Sequence, residues 1–437
     1  MVQITPLNVP SPSPSQTDLV HSQTLYVLSS SQTKIRSLPF ELLSTIFQHA
    51  CPTLDISAEN PIPMPPFHLV LRLVSTSWYD IVQSTPQFWA TVLLPELCAE
   101  NVDIKARYLK LYLDTSGGLP LTLSFRFDKS LREVGWFVSS IVDATLEHSA
   151  HRIKALRLSR PPRIWLEKLI PQMCQLATMH IDNPRPEKNW SPRRDERLFL
   201  PKSVNFRQIY LRCPCLLDFH LACPTPSLTH VDLVDCPIDF AMEFLLRCPN
   251  LIDFRCRCLL LYPLKVENPR TMFTSPLIRS RLSTLSWSTN YTRDGISEWD
   301  SVLFELIRFP SLERFHWWAG SCRVIVDDTI LAFLSRIPKS ISTLELAEVD
   351  MTFTDAILNH FLLLTGVTQL RLCRCSCFFC GASILCLLTR DRWKEHLISQ
   401  THVYYNRLPG DRGMDTALDG ISPRKWEETS GDVANQD

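Results

Sequence analysis

The chain has 437 residues, and its 45 lysines and arginines are balanced by 45 aspartates and glutamates. This neutrality removes the electrostatic reason to expect nucleic acid, a membrane surface or an acidic polymer as the main partner. Only 11 residues are glycine, against roughly 30 at average usage, and neither G-x-G-x-x-G nor G-x-x-x-x-G-K-[ST] occurs, so glycine-rich phosphate-binding loops are excluded.

The composition is that of a protein that folds in a reducing compartment. Apolar residues make up 45% of the chain and charged residues 21%, which is enough to build a core. The 16 cysteines are too few for a disulfide scaffold, and no secretory signal precedes Lys34. No uncharged apolar run reaches the ~18 residues that a membrane span needs. We therefore expect a cytoplasmic or nuclear protein with reduced thiols and no membrane partner.

Residues 1–33 are predicted to be a disordered tail. They contain one charged residue, Asp18, and are otherwise dominated by serine, threonine, glutamine and proline. Such a segment cannot bury enough apolar surface to fold. Folded structure is therefore expected to begin after it.

Residues 34–95 are predicted to form a small all-α module. Pro39 suits the start of a helix that ends at Pro52, and a second helix is expected from Leu69 to Val82. Both helices are apolar over more than one stripe, and a module of this size has too little interior to bury two such faces. Part of this apolar surface must therefore contact something else. It would be either the next domain, which the module would cap, or a partner protein.

Three segments of this module carry a recognisable pattern. They are Leu38-Pro39-Phe40-Glu41-Leu42-Leu43 with Ile46-Phe47, then Leu73-Val74-Ser75 with Trp78 and Asp80-Ile81, and finally Ser84-Thr85-Pro86 with Phe88-Trp89. The pattern resembles the F-box family, which implies binding of the Skp-family adaptor of a cullin-RING ubiquitin ligase core. By that resemblance, the adaptor-facing residues are Leu38, Pro39, Leu42, Ile46, Val74 and Trp78. It resembles the form common in F-box proteins of mushroom-forming fungi. In those proteins a segment like residues 96–150, a linker or first atypical repeat, leads to a repeat array.

A short apolar pattern recurs through residues 151–390. An apolar residue is followed three and five positions later by two more, and the segments between these units often have a helical period. The nine units begin with Ile153/Leu156/Leu158, Leu176/Met179/Ile181, Leu216/Phe219/Leu221, Leu228/Val231/Leu233, Leu251/Phe254/Cys256, Leu282/Leu285/Trp287, Leu312/Phe315/Trp317, Ile341/Leu344/Leu346 and Val367/Leu370/Leu372. This series resembles the leucine-rich-repeat family, which implies an α/β solenoid with a parallel strand ladder on its concave face and helices outside.

Two features of the series leave its architecture open. The 12-residue step from Leu216 to Leu228 is too short for a helix, so the array is expected to be bent or hairpin-like there. A generic α/β domain with buried parallel strands would carry a similar apolar pattern. The expected fold class is nevertheless α/β, with a helical F-box module followed by a leucine-rich-repeat-like solenoid.

Residues at the alternate strand positions are candidates for binding a target protein. Side chains alternate between the two faces of a strand, so these residues should project from the concave face. They are His230, Asp232, Arg255, Ser286, His316, Glu345 and Arg371. Their mixed, charged side chains are of the kind that a repeat protein uses to recognise a partner.

A cysteine- and histidine-rich segment near the end of the array has two interpretations. Cys377, Cys380, His396 and His402 have the order of a zinc site with two cysteines and two histidines, although the central spacing is longer than usual. The stretch from Trp393 to His402 also resembles the histidine-bearing helix of matrin-type zinc fingers. Alternatively, these cysteines are ordinary core or surface thiols. Residues 391–437 are expected to form a helix and a flexible tail.

The motif set indicates a protein that binds and does not catalyse. Neither H-E-x-x-H nor G-x-S-x-G occurs. The expected function is that of a substrate-recognition adaptor in an SCF-type ubiquitin ligase, with a target protein that the sequence does not identify. Two alternatives remain. One is a non-ligase repeat scaffold whose helical module caps the solenoid, and the other is nucleic-acid binding by the Cys/His segment, which the neutral charge argues against.

Overall fold

The structure is a computed structural model that describes most of the chain between Leu38 and Cys373. The described residues are 38–51, 67–98, 100–128, 136–162, 165–183, 197–199, 203–212, 218–220, 226–257, 268–273, 275–288, 291–292, 295–318, 323–324, 328–348, 350–351 and 366–373. The predicted tails, residues 1–33 and 391–437, lie outside them. No helix among these ranges has both the length and the apolar character needed to cross a membrane.

The described residues between 38 and 89 are helical, as the sequence predicts, but they form three helices where two were expected. They are α1 (Phe40–Ala50), α2 (Phe67–Leu71) and α3 (Thr76–Ser84), followed by a 3-10 turn at Pro86–Trp89. The prediction of one continuous second helix was wrong because Ser75 has an extended backbone and caps a new helix. Its hydroxyl accepts a hydrogen bond from the Trp78 N–H at 3.2 Å.

An eleven-stranded parallel sheet runs through the rest of the described chain. Its strands, in order, are β1 (Thr91–Leu97), β2 (Leu121–Phe127), β3 (Ile153–Ser159), β4 (Thr178–Asp182), β5 (Gln208–Arg212), β6 (His230–Val234), β7 (Asp253–Arg257), β8 (Thr284–Ser288), β9 (Arg314–Trp318), β10 (Thr343–Ala347) and β11 (Gln369–Cys373). Each strand pairs in parallel with the strand before it. The predicted α/β class and parallel strand ladder are confirmed.

Helices connect many of these strands. They are α4 (Val102–Thr115), α5 (Trp136–Glu147), α6 (Ile238–Arg247), α7 (Glu298–Leu306) and α8 (Asp328–Arg336), with a π-helical turn at Trp165–Leu169 and 3-10 turns at Ala150–Arg152, Ile170–Gln172 and Pro269–Met272. Four short strand pairs lie outside the long sheet, at Arg197–Phe199 with Asp218–His220, Leu277–Ile278 with Ile307–Arg308, Tyr291–Thr292 with Gly295–Ile296, and Arg323–Val324 with Asp350–Met351.

One face of the long sheet forms the core. Its central apolar row is in register from strand to strand through Leu94, Phe125, Leu158, Ile181, Leu211, Leu233, Cys256, Trp287, Trp317 and Leu346. All ten side chains are buried. Helices cover this face, since Phe304 of α7 packs edge-on against Trp317, with ring centroids 5.8 Å apart. The resulting core is continuous from Leu43 in α1 to Val367 before β11.

Eight of the nine predicted repeat units supply a strand of this sheet. The exception is Leu216/Phe219/Leu221. Within the described residues, its strand Asp218–His220 pairs with Arg197–Phe199 and not with the long sheet. The long sheet instead uses Ile209 and Leu211 in β5, with Phe206 two residues before the strand, and all three are buried. A unit beginning at Phe206 lies 22 positions before Leu228 (228 − 206), which removes the anomalous short step. The bend that this step suggested is therefore not needed.

A distinctive turn recurs where strands end. Arg160, Asp235 and Glu348 directly follow β3, β6 and β10, and their φ angles are 55°, 53° and 55°. The N–H of each donates to the carbonyl of the last residue of the next strand, at 2.8, 3.1 and 2.8 Å. Positive φ is uncommon for residues with a side chain. The same turn and the same hydrogen bond therefore recur at three strand ends of the sheet.

Candidate interaction surfaces

The helical module exposes apolar side chains in α1 and in the turn between α2 and α3. In α1, Leu42 and Ile46 lie one turn apart and are 52% and 50% exposed. Leu73 and Val74, in the turn between α2 and α3, are 86% and 57% exposed. A second face of α1 is simultaneously buried through Leu43 and Phe47. The exposed residues are therefore additional to those that hold the module together.

The structure separates the six predicted adaptor-facing residues into two groups. Pro39, Leu42, Ile46 and Val74 are exposed, whereas Leu38 and Trp78 are partly buried against the core. The ring centroids of Trp78 and Phe47 are 4.6 Å apart, so Trp78 packs α3 against α1. Sequence reasoning did not select Val70 or Leu73, which are 45% and 86% exposed. The signal was present, because both belong to the same apolar run as Val74.

The other side of the module is packed against the beginning of the sheet. His68 in α2 is 6% exposed, and its Nε2 lies 2.9 Å from the hydroxyl oxygen of Tyr112 in α4. The buried ring of Trp89 contacts both residues edge-on, with centroids 5.3 and 5.2 Å away. Burial lowers the pKa of His68 to about 4, and the nearby positive charge of Arg72 acts in the same direction. The histidine is therefore neutral near pH 7.

The second face of the long sheet carries polar side chains in register. Its central row consists of Ser124, Arg157, His180, Tyr210, Asp232, Arg255, Ser286, His316, Glu345 and Arg371. Six of the seven predicted target-binding residues belong to this row. The seventh, His230, lies in the adjacent row opposite Gln208 and Asp253. The structure thus brings all seven onto one face, which we call the polar sheet face.

Several charged residues of the polar sheet face are paired with one another. Asp232 binds Arg257 at 3.0 Å, and Arg255 forms a two-pronged contact with Asp253 at 2.9 and 2.7 Å. Burial raises the pKa of Asp232, while Arg257 acts in the opposite direction. These pairs fix the orientation of side chains that a partner would meet.

Glu345 connects three strands of this face. Its carboxylate lies 3.1 Å from His316 Nδ1 in β9 and 3.6 Å from the Arg371 guanidinium in β11. The hydrogen bond from His316 and the charges of His316 and Arg371 hold the pKa of Glu345 below its ordinary value, against the effect of burial. The polar groups of β9, β10 and β11 thus form one preorganised cluster.

Sequence reasoning missed the part of the polar sheet face on β2 to β5. His180 and Tyr210 stack there with ring centroids 3.9 Å apart, and His180 is 2% exposed. Burial raises the pKa of Tyr210 to about 12. Arg157 and Asp182 lie on the same face. The alternation that placed Asp232 and Arg255 would also have found Arg157, His180 and Asp182 in the units beginning at Ile153 and Leu176. Tyr210 belongs to the unit beginning at Phe206, which was not predicted.

The predicted zinc ligands Cys377, Cys380, His396 and His402 lie outside the described residues. Within the part of the chain that the structure describes, no group of three or more His, Cys, Asp or Glu side chains is arranged to hold a metal ion. Zinc binding by the Cys/His segment therefore stays a prediction from its spacing.

The two surfaces differ in chemistry, since one is apolar and helical whereas the other is charged and formed by parallel strands. Comparison of the chain with the models of known protein families and with curated proteins gives no match. The interpretation of both surfaces depends on their own residues.

Proposed function

We propose that this chain is a non-catalytic, substrate-recognition adaptor of an SCF-type ubiquitin ligase. In this proposal the helical module is an F-box that binds the Skp-family adaptor of the cullin-RING core. The polar sheet face, carried by a leucine-rich-repeat-like solenoid, binds a target protein. The function places the chain in the cytoplasm or the nucleus. Ubiquitin transfer is performed by other subunits, and this chain raises the local concentration of target lysines near them.

The exposure of Leu42, Ile46, Leu73 and Val74 is the observation that supports adaptor binding most directly. Several large apolar side chains exposed on one small helical module are typical of a protein-interaction surface. Two of them lie one turn apart on α1, which suits docking of a helix face into an apolar groove. The F-box resemblance of the same segments supports the same assignment.

The register of the sheet supports target binding by the polar sheet face. Successive strands follow chain order and repeat the same turn after β3, β6 and β10, as expected for stacked repeat units. Such stacking extends a row of polar side chains over many strands. A surface of this kind recognises a partner by local charge and hydrogen bonding and needs no nucleophile.

A non-ligase scaffold is the second candidate function. The contacts of His68 and Trp89 with Tyr112 favour it, because they join the module to α4, the first helix after β1. However, a capping role depends on the buried side of the module, which bears His68 and Trp89. It does not explain why Leu42 and Ile46 are exposed. The two candidates therefore differ in what they expect from substitutions at the exposed residues.

Co-purification with the Skp-family adaptor and the cullin tests the proposal. We expect the adaptor and the cullin to co-purify with the full chain. The amount of each that co-purifies should fall at least about tenfold for the Leu42→Asp/Ile46→Asp variant, because a charge in an apolar interface is left without a partner. Ile104→Asp is the matched control. Ile104 is 57% exposed on α4, outside the proposed interface.

Thermal unfolding of each variant separates lost binding from lost folding. Since all three substituted positions are exposed, their unfolding temperatures should match that of the unmodified chain. Full retention of the adaptor by the Leu42/Ile46 variant, or an equal loss in the Ile104 variant, would contradict the proposed interface. If neither the adaptor nor the cullin co-purified with the unmodified chain, the non-ligase scaffold function would be favoured.

A further inference from the structure

Arg72 contacts both a buried and an exposed aromatic ring of the helical module. It directly follows α2, and its side chain is half-buried. Its Cζ atom lies 5.4 Å from the ring centroid of Trp89, which is fully buried, and 4.4 Å from that of Tyr79, which is 42% exposed. These two cation–π contacts fix the position of the guanidinium group.

The charge of Arg72 has no acidic partner among the described residues. The acids that the structure describes in the module, Glu41 and Asp80, form no ion pair with it. Its Nε atom is buried and has no hydrogen-bond partner. A charged group that is partly removed from water is usually paired, because its lost hydration is otherwise not replaced. We therefore looked for an acceptor from outside the described residues.

Arg72 adjoins the apolar surface that is proposed to bind the adaptor. Leu73 and Val74 are the next two residues of the chain, and both are more than half exposed. A partner that covers them would bring its own side chains within reach of the guanidinium group, since neighbouring Cα atoms are only about 3.8 Å apart. Protein interfaces typically surround their apolar centre with a polar rim, and arginine is enriched in them.

We propose that Arg72 binds an acidic side chain of the Skp-family adaptor at the edge of this apolar interface. This inference depends on the proposed function, because it specifies the chemistry of the adaptor surface that the module contacts. A carboxylate accepts two parallel hydrogen bonds from a planar guanidinium group. The contacts with Tyr79 and Trp89 hold this group in place before the partner binds, so less side-chain entropy is lost on association. Arg72 thus adds a charge requirement to an interface whose other residues are apolar.

The affinity of the full chain for the purified Skp-family adaptor tests this inference. It is measured by biolayer interferometry at low and at high sodium chloride concentration. Arg72→Met keeps a long side chain against the two rings and removes the charge, so we expect the dissociation constant at low salt to rise about tenfold. Added salt screens charge attraction, so it should weaken adaptor binding by the unmodified chain more than binding by this variant. Arg72→Lys should bind with intermediate affinity, because lysine keeps the charge but lacks the planar fork.

Arg107→Met is the matched control, because Arg107 is exposed on α4, outside the proposed interface. It should leave the affinity and its salt dependence unchanged. Unchanged affinity of the Arg72→Met variant, an equal loss in the Arg107 variant, or equal salt dependence of the unmodified chain and the Arg72→Met variant would overturn the inference. If Arg72→Met fails to fold, Arg72→Lys carries the test, and its unchanged affinity would then overturn the inference.

An acid of this chain outside the described residues is the alternative partner for Arg72. Asp55 and Glu59 belong to residues 52–66, which connect α1 to α2. If either paired with Arg72, the effects of Arg72→Met and Asp55→Asn/Glu59→Gln on the free energy of unfolding would be coupled. We expect these effects to be additive, and a measured coupling would overturn the inference.

The same measurements distinguish this inference from the proposed function. If the unmodified chain did not bind the adaptor, the F-box assignment would fail, and the inference with it. If the unmodified chain and the Arg72→Met variant bound the adaptor equally well, the inference alone would fail.

Discussion

His68 in α2 and Tyr112 in α4 share a hydrogen bond of 2.9 Å across 44 positions of the chain. The contact joins the helical module to the first helix after β1. Aromatic rings surround it, with Phe88 stacked on the imidazole at 6.4 Å between centroids and Trp89 edge-on at 5.3 Å. A buried, neutral histidine thus holds the two parts of the molecule together.

This burial makes the attachment of the module sensitive to pH. The pKa of His68 is about 4 in the folded chain, below its ordinary value of 6.5, so the unfolded chain binds the proton more tightly. Stability is therefore greatest above pH ~6.5 and decreases as the pH falls from there to ~4, by at most ~1.4 kcal/mol per pH unit from this residue. Urea unfolding at a series of pH values between 7 and 4 should show this decrease.

Variants separate the contribution of His68 to the pH dependence of stability from the contribution of the acidic residues. His68→Gln removes the titrating group, so its free energy of unfolding should decrease less over the same pH range than that of the unmodified chain. His49→Gln, at an exposed position of α1, should leave the pH dependence unchanged. An identical slope for the His68 variant and the unmodified chain would show that this histidine does not carry the effect.

Gly366 marks a close approach of two backbone segments before β11. A Cβ atom at this position would collide with the carbonyl oxygen of Lys339 and would lie 2.8 Å from that of Ile341. Gly366→Ala should therefore lower the free energy of unfolding by about 1–3 kcal/mol, because backbone must shift to make room. Chemical denaturation measures the change.

Two other glycines provide controls for this prediction. Gly118 has open space around it and no positive φ, so Gly118→Ala should be nearly neutral. Gly117 also has open space, but its φ is +58°, and Gly117→Ala should cost about 1 kcal/mol through backbone strain alone. If Gly366→Ala changed the free energy of unfolding as little as Gly118→Ala, the close approach of the two backbone segments would not exist in solution.

The strands that follow the apolar pattern could be predicted from the sequence, because a buried parallel strand leaves a local signal. Leu285 and Trp287 in β8 show it, and their register with Phe315 and Trp317 follows once the patterns are aligned. β1 was missed because its strand contains Pro95, which normally argues against a strand. The proline is tolerated at this position because β1 lies at the edge of the sheet, where β2 is its one partner among the described strands.

Local pattern could not decide between competing units or between the two faces of a helix. Phe206/Ile209/Leu211 and Leu216/Phe219/Leu221 have the same spacing, and only pairing with β4 and β6 selects the first. Leu42 and Leu43 are likewise identical in type, yet one is 52% exposed and the other 4%. α3 packs through Trp78 against Phe47, which lies one turn from Leu43 on the buried face of α1, and this tertiary contact leaves no local sequence signal.

Asp300 at the start of α7 joins this helix to the core side of β8. Its carboxylate is fully buried and accepts hydrogen bonds from the indole N–H of Trp287 at 2.7 Å and from the Ser297 hydroxyl at 2.6 Å. Asp300→Ala would leave both donors buried without these acceptors. We expect the free energy of unfolding to fall by about 2–3 kcal/mol, as measured by chemical denaturation.

A double-mutant cycle tests the indole contact itself. Trp287→Phe removes the N–H, so once it is present, Asp300→Ala should cost less than it does alone, with a coupling energy of about 0.5–3 kcal/mol. Glu298→Ala, at an exposed position of the same first turn, is the control and should change stability by less than about 0.5 kcal/mol. Additive effects of the Trp287 and Asp300 substitutions would show that the two side chains do not stabilise each other.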